Sequence, residues 1–135
     1  MTARTWIAAA FAALTVLAGS VHAAASVGLV CEGVDTDASV SILLGAGLMR
    51  TPLAVTLSVG GEERRSVGPA APSADALLIG QSWLDRSELR LDLLDIEGRR
   101  YEARLRLRFV DNEDVAVGTL VLGRGRVVEV ACRQD

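Results

Sequence analysis

The amino-acid sequence predicts an all-β fold, a small antiparallel barrel or sandwich of about eight to nine strands. Three observations predict it. Apolar and polar residues alternate with a period of two over several short segments, as in strands with one face in a core. Glycine- and aspartate-rich turns separate these segments. The mature chain has two cysteines near its ends, and a disulfide between them would join the terminal strands.

Residues 1–23 are predicted to be a cleavable signal peptide. Arg4 precedes an apolar run over residues 6–17, and small residues follow that run, as in secretory signals. Val21 and Ala23 fit the positions three and one before the cut, so cleavage is expected after Ala23. Cleavage after Ala25 fits nearly as well. The run is shorter than the roughly 20 apolar residues of a spanning helix.

Residues 24–135 are then expected to form a single β-domain. A lipid anchor is not expected, because Cys31 lies well past the apolar run and follows the bulky Val30. The predicted product is a soluble periplasmic or secreted protein without a membrane anchor after cleavage.

Composition excludes several classes of function. All 14 basic residues are arginine, and the single histidine, His22, precedes the expected cut. The domain that remains has 13 arginines and 17 acidic residues, so nucleic acid is not an expected partner. Histidine- and lysine-dependent catalysis is excluded, together with the commonest metal ligand. No enzyme activity and no cofactor are expected.

Cys31 and Cys132 are the only cysteines, so an exported chain is expected to join them to each other. The loop closed by this disulfide has about 100 residues, for which chain entropy predicts roughly 4–5 kcal/mol of stabilisation. The apolar face of Val27, Leu29 and Cys31 also matches a second apolar face near the end of the chain, residue by residue and at a constant offset in sequence. That second face consists of Val128, Val130 and Cys132. That alignment favours parallel terminal strands.

Eight segments carry strand patterns. In chain order they cover residues 27–31, 40–44, 53–59, 77–83, 89–93, 101–109, 115–122 and 128–132. Segment 77–83 is ambiguous, because Ser73 could cap a short helix, and a strand is favoured. Segment 115–122 is apolar on both faces and is expected to be central. Gly60-Gly61 is a hairpin turn signal that follows the third segment.

Charge predicts the register of the hairpin formed by segments 89–93 and 101–109. Inward residues must pair with inward residues, and opposite charges across a pair contribute about 0.2–1 kcal/mol. The favoured register leaves a three-residue loop over residues 97–99. It pairs Asp92 with Arg104, Glu88 with Arg108 and, less favourably, Arg90 with Arg106.

An arginine row is the first candidate binding surface. It consists of Arg90, Arg104, Arg106 and Arg108, and it could bind an anionic envelope polymer or ligand. The favoured interpretation is a solvated sheet face that Glu88 and Asp92 neutralise, because isolated surface charges contribute little.

Trp83 and the loop over residues 45–52 are further candidates. Trp83, the only tryptophan after cleavage, is either an exposed anchor for a partner or sugar or, as favoured, a core residue. The loop carries Leu48, Met49 and Arg50. Its apolar residues either insert into a partner or, as favoured, cap one end of the barrel.

Two acidic segments could hold a calcium ion. They contain Asp35 and Asp37, and Asp111, Glu113 and Asp114. Neither has the complete acidic loop with its glycine and distal glutamate. Hairpin turns rich in aspartate explain both segments, so no metal is expected.

The organisation of the chain resembles that of the periplasmic C-type lysozyme inhibitors. The shared features are a signal peptide, a small β-domain, the Cys31-Glu32-Gly33 segment and a cysteine near the end. The resemblance implies an inhibitor-like binding scaffold. Those inhibitors also carry a Ser-Gly-x-x-Tyr type segment and a lysine-containing loop, which this domain lacks, so no inhibitory residue is carried over.

The sequence therefore predicts a non-enzymatic periplasmic binding or inhibitor-like protein that recognises an envelope protein or polymer. The main alternative is a purely structural envelope protein without a discrete site. A carboxylate-based hydrolase is a distant third, because spacing alone places no two carboxylates in a shared cleft.

Overall fold

The computed structural model describes residues 26–46, 50–66, 73–110 and 114–135. These residues form one antiparallel sheet of nine strands that curls into a nearly closed barrel, which confirms the predicted all-β fold. The strands are β1 (Val27–Gly33), β2 (Ser39–Leu44), β3 (Pro52–Val59), β4 (Glu62–Arg65), β5 (Leu77–Leu84), β6 (Glu88–Asp95), β7 (Tyr101–Val110), β8 (Val115–Leu122) and β9 (Arg126–Gln134).

The strand order in the sheet is β4-β3-β2-β1-β9-β8-β7-β6-β5, so the two terminal strands are neighbours. Cys31 and Cys132 face each other across β1 and β9 and form the predicted disulfide. The prediction of parallel terminal strands is wrong, because β1 and β9 are antiparallel. Strand β1 continues to Gly33, and the next N–H, of Val34, donates to the Glu129 oxygen at 2.8 Å. The antiparallel overlap is therefore long enough to centre on the disulfide.

Among the described residues, the one parallel contact of the barrel lies between β4 and β5. A ring with an odd number of strands cannot be antiparallel throughout, so one neighbouring pair has to be parallel. Ser66, directly after β4, forms a parallel bridge with Leu77 at the start of β5. Strand β4 ends at Arg65 and β5 begins at Leu77, and this separation in sequence is long enough to allow the same direction in both strands. We call this junction the seam.

The inward residues of eight strands form the core of the barrel. Alternation along each strand places one apolar side chain in every two inside the barrel. The largest fully buried side chains are Leu29, Ile42, Leu77, Leu89, Leu91, Leu93, Leu105, Leu120, Val40, Val55 and Cys31. Among the described residues, β4 contributes none of the buried apolar side chains.

Strand β8 lies between β7 and β9, as expected for a central strand. Its outer face is nevertheless exposed at Val115 and Val117, because nothing in the described chain packs against the outside of the barrel there. Gly118 of β8 allows β7 to approach β8 closely. A Cβ atom at this position would overlap the carbonyl oxygen of Arg106.

The β6–β7 hairpin has the predicted register. Glu88 pairs with Arg108, Arg90 with Arg106, and Asp92 with Arg104. The predicted three-residue loop is wrong, because the register shifts after Leu93 and leaves a four-residue turn over residues 96–99. The Asp95 carboxylate accepts the Arg99 N–H at 2.7 Å, which stabilises this four-residue turn.

Segment 77–83 is a strand, as favoured, and Ser73 begins a turn in which the Ala76 N–H donates to its carbonyl oxygen. The disulfide indicates an oxidising compartment outside the cytoplasm. Within the described part of the chain, no helix has the length and apolar character needed to cross a membrane. The predicted signal peptide lies outside the described residues.

Candidate functional site

A groove on the outside of the barrel brings together several residues that the sequence singled out separately. It crosses strands β5, β6 and β7 and has a volume of about 420 Å³. We call it the β5–β7 groove. Its lining residues are Gln81, Ser82, Trp83, Arg90, Asp92 and Arg106.

Trp83 is 58% exposed in this groove, so its favoured interpretation as a core residue is wrong. The reason is a bulge in β5. Leu77 is fully buried, and strict alternation would place Trp83 on the same inward face. The pairing with β6 shifts between Ile79 and Ser82, and this shift moves Trp83 outward, opposite Arg90.

The β5–β6 turn holds the indole of Trp83. Its Nε1 donates to Asp85 Oδ2 at 3.3 Å. The other oxygen of Asp85 accepts the Ser87 Oγ–H at 2.8 Å, the Ser87 N–H at 2.7 Å and the Glu88 N–H at 2.8 Å. The side-chain bond from Ser87, followed by the two backbone bonds, lowers the pKa of Asp85 from 3.8 to about 2. Asp85 is therefore ionised at neutral pH.

Asp92 points outward from β6 and is nevertheless only 7% exposed. Arg106 covers it from β7, with Nη2 at 2.7 Å from Oδ1. Nη1 of the same guanidinium donates to the carbonyl oxygens of Leu105 at 2.9 Å and Leu91 at 3.3 Å. The 2.7 Å contact pairs the guanidinium with Oδ1, which is itself buried. Arg106 is thus fixed above a buried carboxylate.

The predicted arginine row forms one outer face of β6 and β7, but only part of it is neutralised. Arg90 pairs with Glu88 at 3.0 Å, whereas Asp92 pairs with Arg106 and not with Arg104 directly opposite. The guanidinium of Arg104 lies 5.2 Å from the ring centre of Tyr101. Arg108 has no ion pair with the described residues. The face therefore carries four arginines against two carboxylates.

Other predicted candidates do not join the groove. Leu48 and Met49 lie outside the described residues, so their predicted roles stay predictions. Arg50 is exposed at the start of the next described segment. Asp111 and Glu113 also lie outside the described chain. Where the structure is described, no group of three His, Cys, Asp or Glu residues is arranged to hold a metal ion.

A second charged region, which the sequence did not predict, lies around Arg64 of β4 and Glu102 of β7. Arg64 of β4 pairs with the buried Leu57 and so faces inward, where it reaches Glu102 of β7 at 3.0 Å across the seam. Its Nε also donates to the Asp75 carbonyl oxygen at 3.0 Å. Glu102 is the extra residue in the β7 bulge, and alternation alone would not direct it here.

Open spaces of about 340 and 670 Å³ flank the Arg64–Glu102 pair. Carboxylates line both spaces, and arginines pair with the most buried of these carboxylates, Asp95 and Glu102. Arg100 lies 3.3 Å from Asp95 and 3.4 Å from Glu102. Backbone hydrogen bonding by Arg99 is the main cause that lowers the pKa of Asp95. The pairing across the seam points to a structural role for this region.

Comparison of the chain with protein-family models, curated proteins and solved structures found no match.

Proposed function

We propose that this domain is a non-enzymatic binding protein of the cell envelope, which recognises an anionic envelope polymer through the β5–β7 groove and the adjoining arginine row. One observation carries the proposal: an exposed tryptophan lies beside an arginine that a buried carboxylate holds in place. Exposed Trp and well-packed Arg are the residue types that dominate binding energy at recognition surfaces.

The charge distribution supports an anionic partner. The whole chain has a net charge of −3, yet the outer face of β6 and β7 has an excess of arginines. A local positive face on an acidic protein directs anions to that face and away from the remaining surface.

The spacing of the arginines supports a polymer. Arg104, Arg106 and Arg108 alternate along one strand, so their Cα atoms are about 6.5–7 Å apart. A repeated cationic row of this kind matches a chain of repeated anionic units better than a single small ion. Each guanidinium can donate two parallel hydrogen bonds to a carboxylate, sulfate or phosphate group.

Preorganisation also supports binding. The Arg106 guanidinium already contacts Asp92 and two carbonyl oxygens, and the Trp83 indole is tied to Asp85. Side chains that are already fixed lose less conformational entropy when a ligand binds.

The non-enzymatic part of the proposal rests on the chemical groups in the groove. Asp92 is its one carboxylate, whereas the usual glycoside-hydrolysing arrangement uses two. The mature domain also lacks histidine and lysine to serve as bases or nucleophiles.

Cosedimentation tests the proposal. Oxidised domain 24–135 is mixed with protease-treated, insoluble bacterial envelope material, and the bound fraction is measured over a series of salt concentrations. We expect salt-sensitive binding that falls at least tenfold in Trp83→Ala and several-fold in Arg104→Gln and Arg108→Gln. Arg124→Gln, in the exposed β8–β9 turn, is the charge-matched control and should bind like the wild type. Absence of binding, or equal binding by Trp83→Ala, would refute the proposal.

A further inference from the structure

We infer that the β5–β7 groove accepts one saccharide unit that bears an anionic substituent. The inference rests on the proposed function and names the chemistry of the polymer. It depends on three features that lie together in the groove: two uncommitted polar side chains, an exposed aromatic ring beside them, and two guanidinium groups.

Asp92 contributes to the groove through Arg106. Its side chain is only 7% exposed, and its Oδ1 is buried beneath Nη2 of Arg106 at 2.7 Å. The carboxylate therefore holds the Arg106 guanidinium in place at the surface of the groove.

The bulge of β5 supplies the polar side chains and the aromatic ring. Gln81 and Ser82 are exposed, and neither side chain has a hydrogen bond to another described residue. An amide and a hydroxyl both donate and accept, as hydroxyl-rich ligands require. Because the Nε1–H of Trp83 is committed to Asp85, the indole presents mainly its apolar surface to a ligand. The C–H face of a sugar ring is complementary to such a surface.

The guanidinium groups of Arg90 and Arg106 line the same groove as Asp92. Their charges are paired with Glu88 and Asp92, yet each side chain remains partly exposed and retains N–H groups for a ligand. A ligand that satisfies the whole groove must present hydroxyl groups to Gln81 and Ser82 and an anionic group to the arginines. A sugar with a carboxylate, sulfate or phosphate substituent meets both conditions, whereas an acidic peptide without hydroxyl groups meets only the second.

Tryptophan fluorescence tests the inference directly. Trp83 is the only tryptophan of residues 24–135, so the emission of the domain reports on the groove itself. The probes are uronic acid oligosaccharides, sulfated oligosaccharides, matched neutral oligosaccharides, oligoglutamate and inorganic phosphate. We expect at least one acidic oligosaccharide to change the emission and to bind at least tenfold more tightly than the neutral oligosaccharide, oligoglutamate or phosphate.

Variants then test the polar side chains and the arginines of the groove separately. Gln81→Ala and Ser82→Ala should weaken binding of the acidic oligosaccharide by threefold or more, and Arg90→Gln should remove most of the preference over the neutral one. Arg124→Gln, remote from the groove, should change neither. Unchanged affinity and preference in all three groove variants would overturn the inference.

The ligand series separates this inference from the proposed function. If the domain sediments with envelope material but no acidic oligosaccharide changes Trp83 emission, the saccharide assignment is wrong and polymer binding stands. If oligoglutamate or phosphate binds as tightly as the acidic oligosaccharide, the saccharide assignment is also wrong. If neither envelope material nor any probe binds, both fail.

Discussion

Arg106 lies with Nη2 at 2.7 Å from Oδ1 of Asp92, and this pair is on the outside of the barrel although Asp92 is almost fully buried. The guanidinium of Arg106 is the cover that excludes water from Asp92. The same contact therefore contributes to stability and positions an arginine in the candidate groove.

Removing this cover should destabilise the domain. In Arg106→Gln the carboxylate of Asp92 loses its counter-ion, and we expect the free energy of unfolding to fall by about 1–3 kcal/mol in urea titrations. Arg108→Gln changes the same residue type on the same strand, where no described partner is lost, and should fall within about 0.5 kcal/mol of wild type. Adding Asp92→Asn to Arg106→Gln should recover part of the loss. An Arg106→Gln variant as stable as the wild type would contradict the assigned role of the pair.

Asp85 should make stability depend on acidic pH. Its pKa lies at about 2 in the folded domain, below the usual 3.8, so ionised Asp85 stabilises the fold above about pH 4. This contribution is lost as pH falls from about 4 to 2, because protonation removes the charge that the Ser87 and Glu88 donors favour.

The measurement for Asp85 is the urea midpoint between pH 2 and 6. Asp85→Asn should have a shallower decline over the acidic part of this range than the wild type. Asp135→Asn replaces an exposed carboxylate outside the β5–β6 turn, and its profile should parallel the wild type. Identical slopes for wild type and Asp85→Asn would exclude the proposed hydrogen-bonded turn.

The Cys31–Cys132 disulfide should contribute strongly to stability, because it links neighbouring terminal strands that are 101 residues apart in sequence. Replacing both cysteines with alanine should lower the free energy of unfolding by about 2–5 kcal/mol. A reducing agent should destabilise the wild type and leave the double variant unchanged. Thiol labelling of the denatured, oxidised domain should detect no free cysteine, and two reactive thiols would contradict the pairing.

Gly118 should tolerate no larger residue. In Gly118→Ala the new methyl group overlaps the Arg106 carbonyl oxygen, so β7 and β8 have to separate, and we expect a loss of about 1–3 kcal/mol. Gly28→Ala is the matched control. Its nearest neighbouring atom, Cβ of Asp135, would be at an ordinary 3.7 Å, and the variant should be nearly neutral in thermal unfolding. Equal stability of both variants would show that the close strand approach is absent.

Trp83 shows why the candidate site could be predicted only in part. The sequence identified Trp83, Arg90 and Arg106 as possible binding residues, but it favoured a core position for Trp83 because aromatic residues are scarce. Strict alternation from the buried Leu77 would also direct Trp83 inward. Its exposure depends on a register shift opposite β6. A bulge depends on pairing with another strand, and a period-two pattern in one strand does not encode it.

Strand β4 shows the same limit for the fold. Its four residues are Glu62-Glu63-Arg64-Arg65, which have no apolar alternation, and only the preceding Gly60-Gly61 turn indicated a returning strand. The inward position of Arg64 becomes apparent from its pairing with Leu57, and its partner Glu102 lies 38 positions along the chain. Neither contact can be predicted from a short segment of the sequence.

The sequence by itself determined the positions of most strands, the Cys31–Cys132 pairing and the β6–β7 register, because alternation, a single possible cysteine pair and charges in one hairpin specify them. The tertiary structure alone decided that β1 and β9 are antiparallel, that Trp83 faces outward and that Asp92 is covered by Arg106. These features depend on bulges and on which distant strands become neighbours. They arise when the barrel closes, and closure depends on all the strands together and not on any single segment.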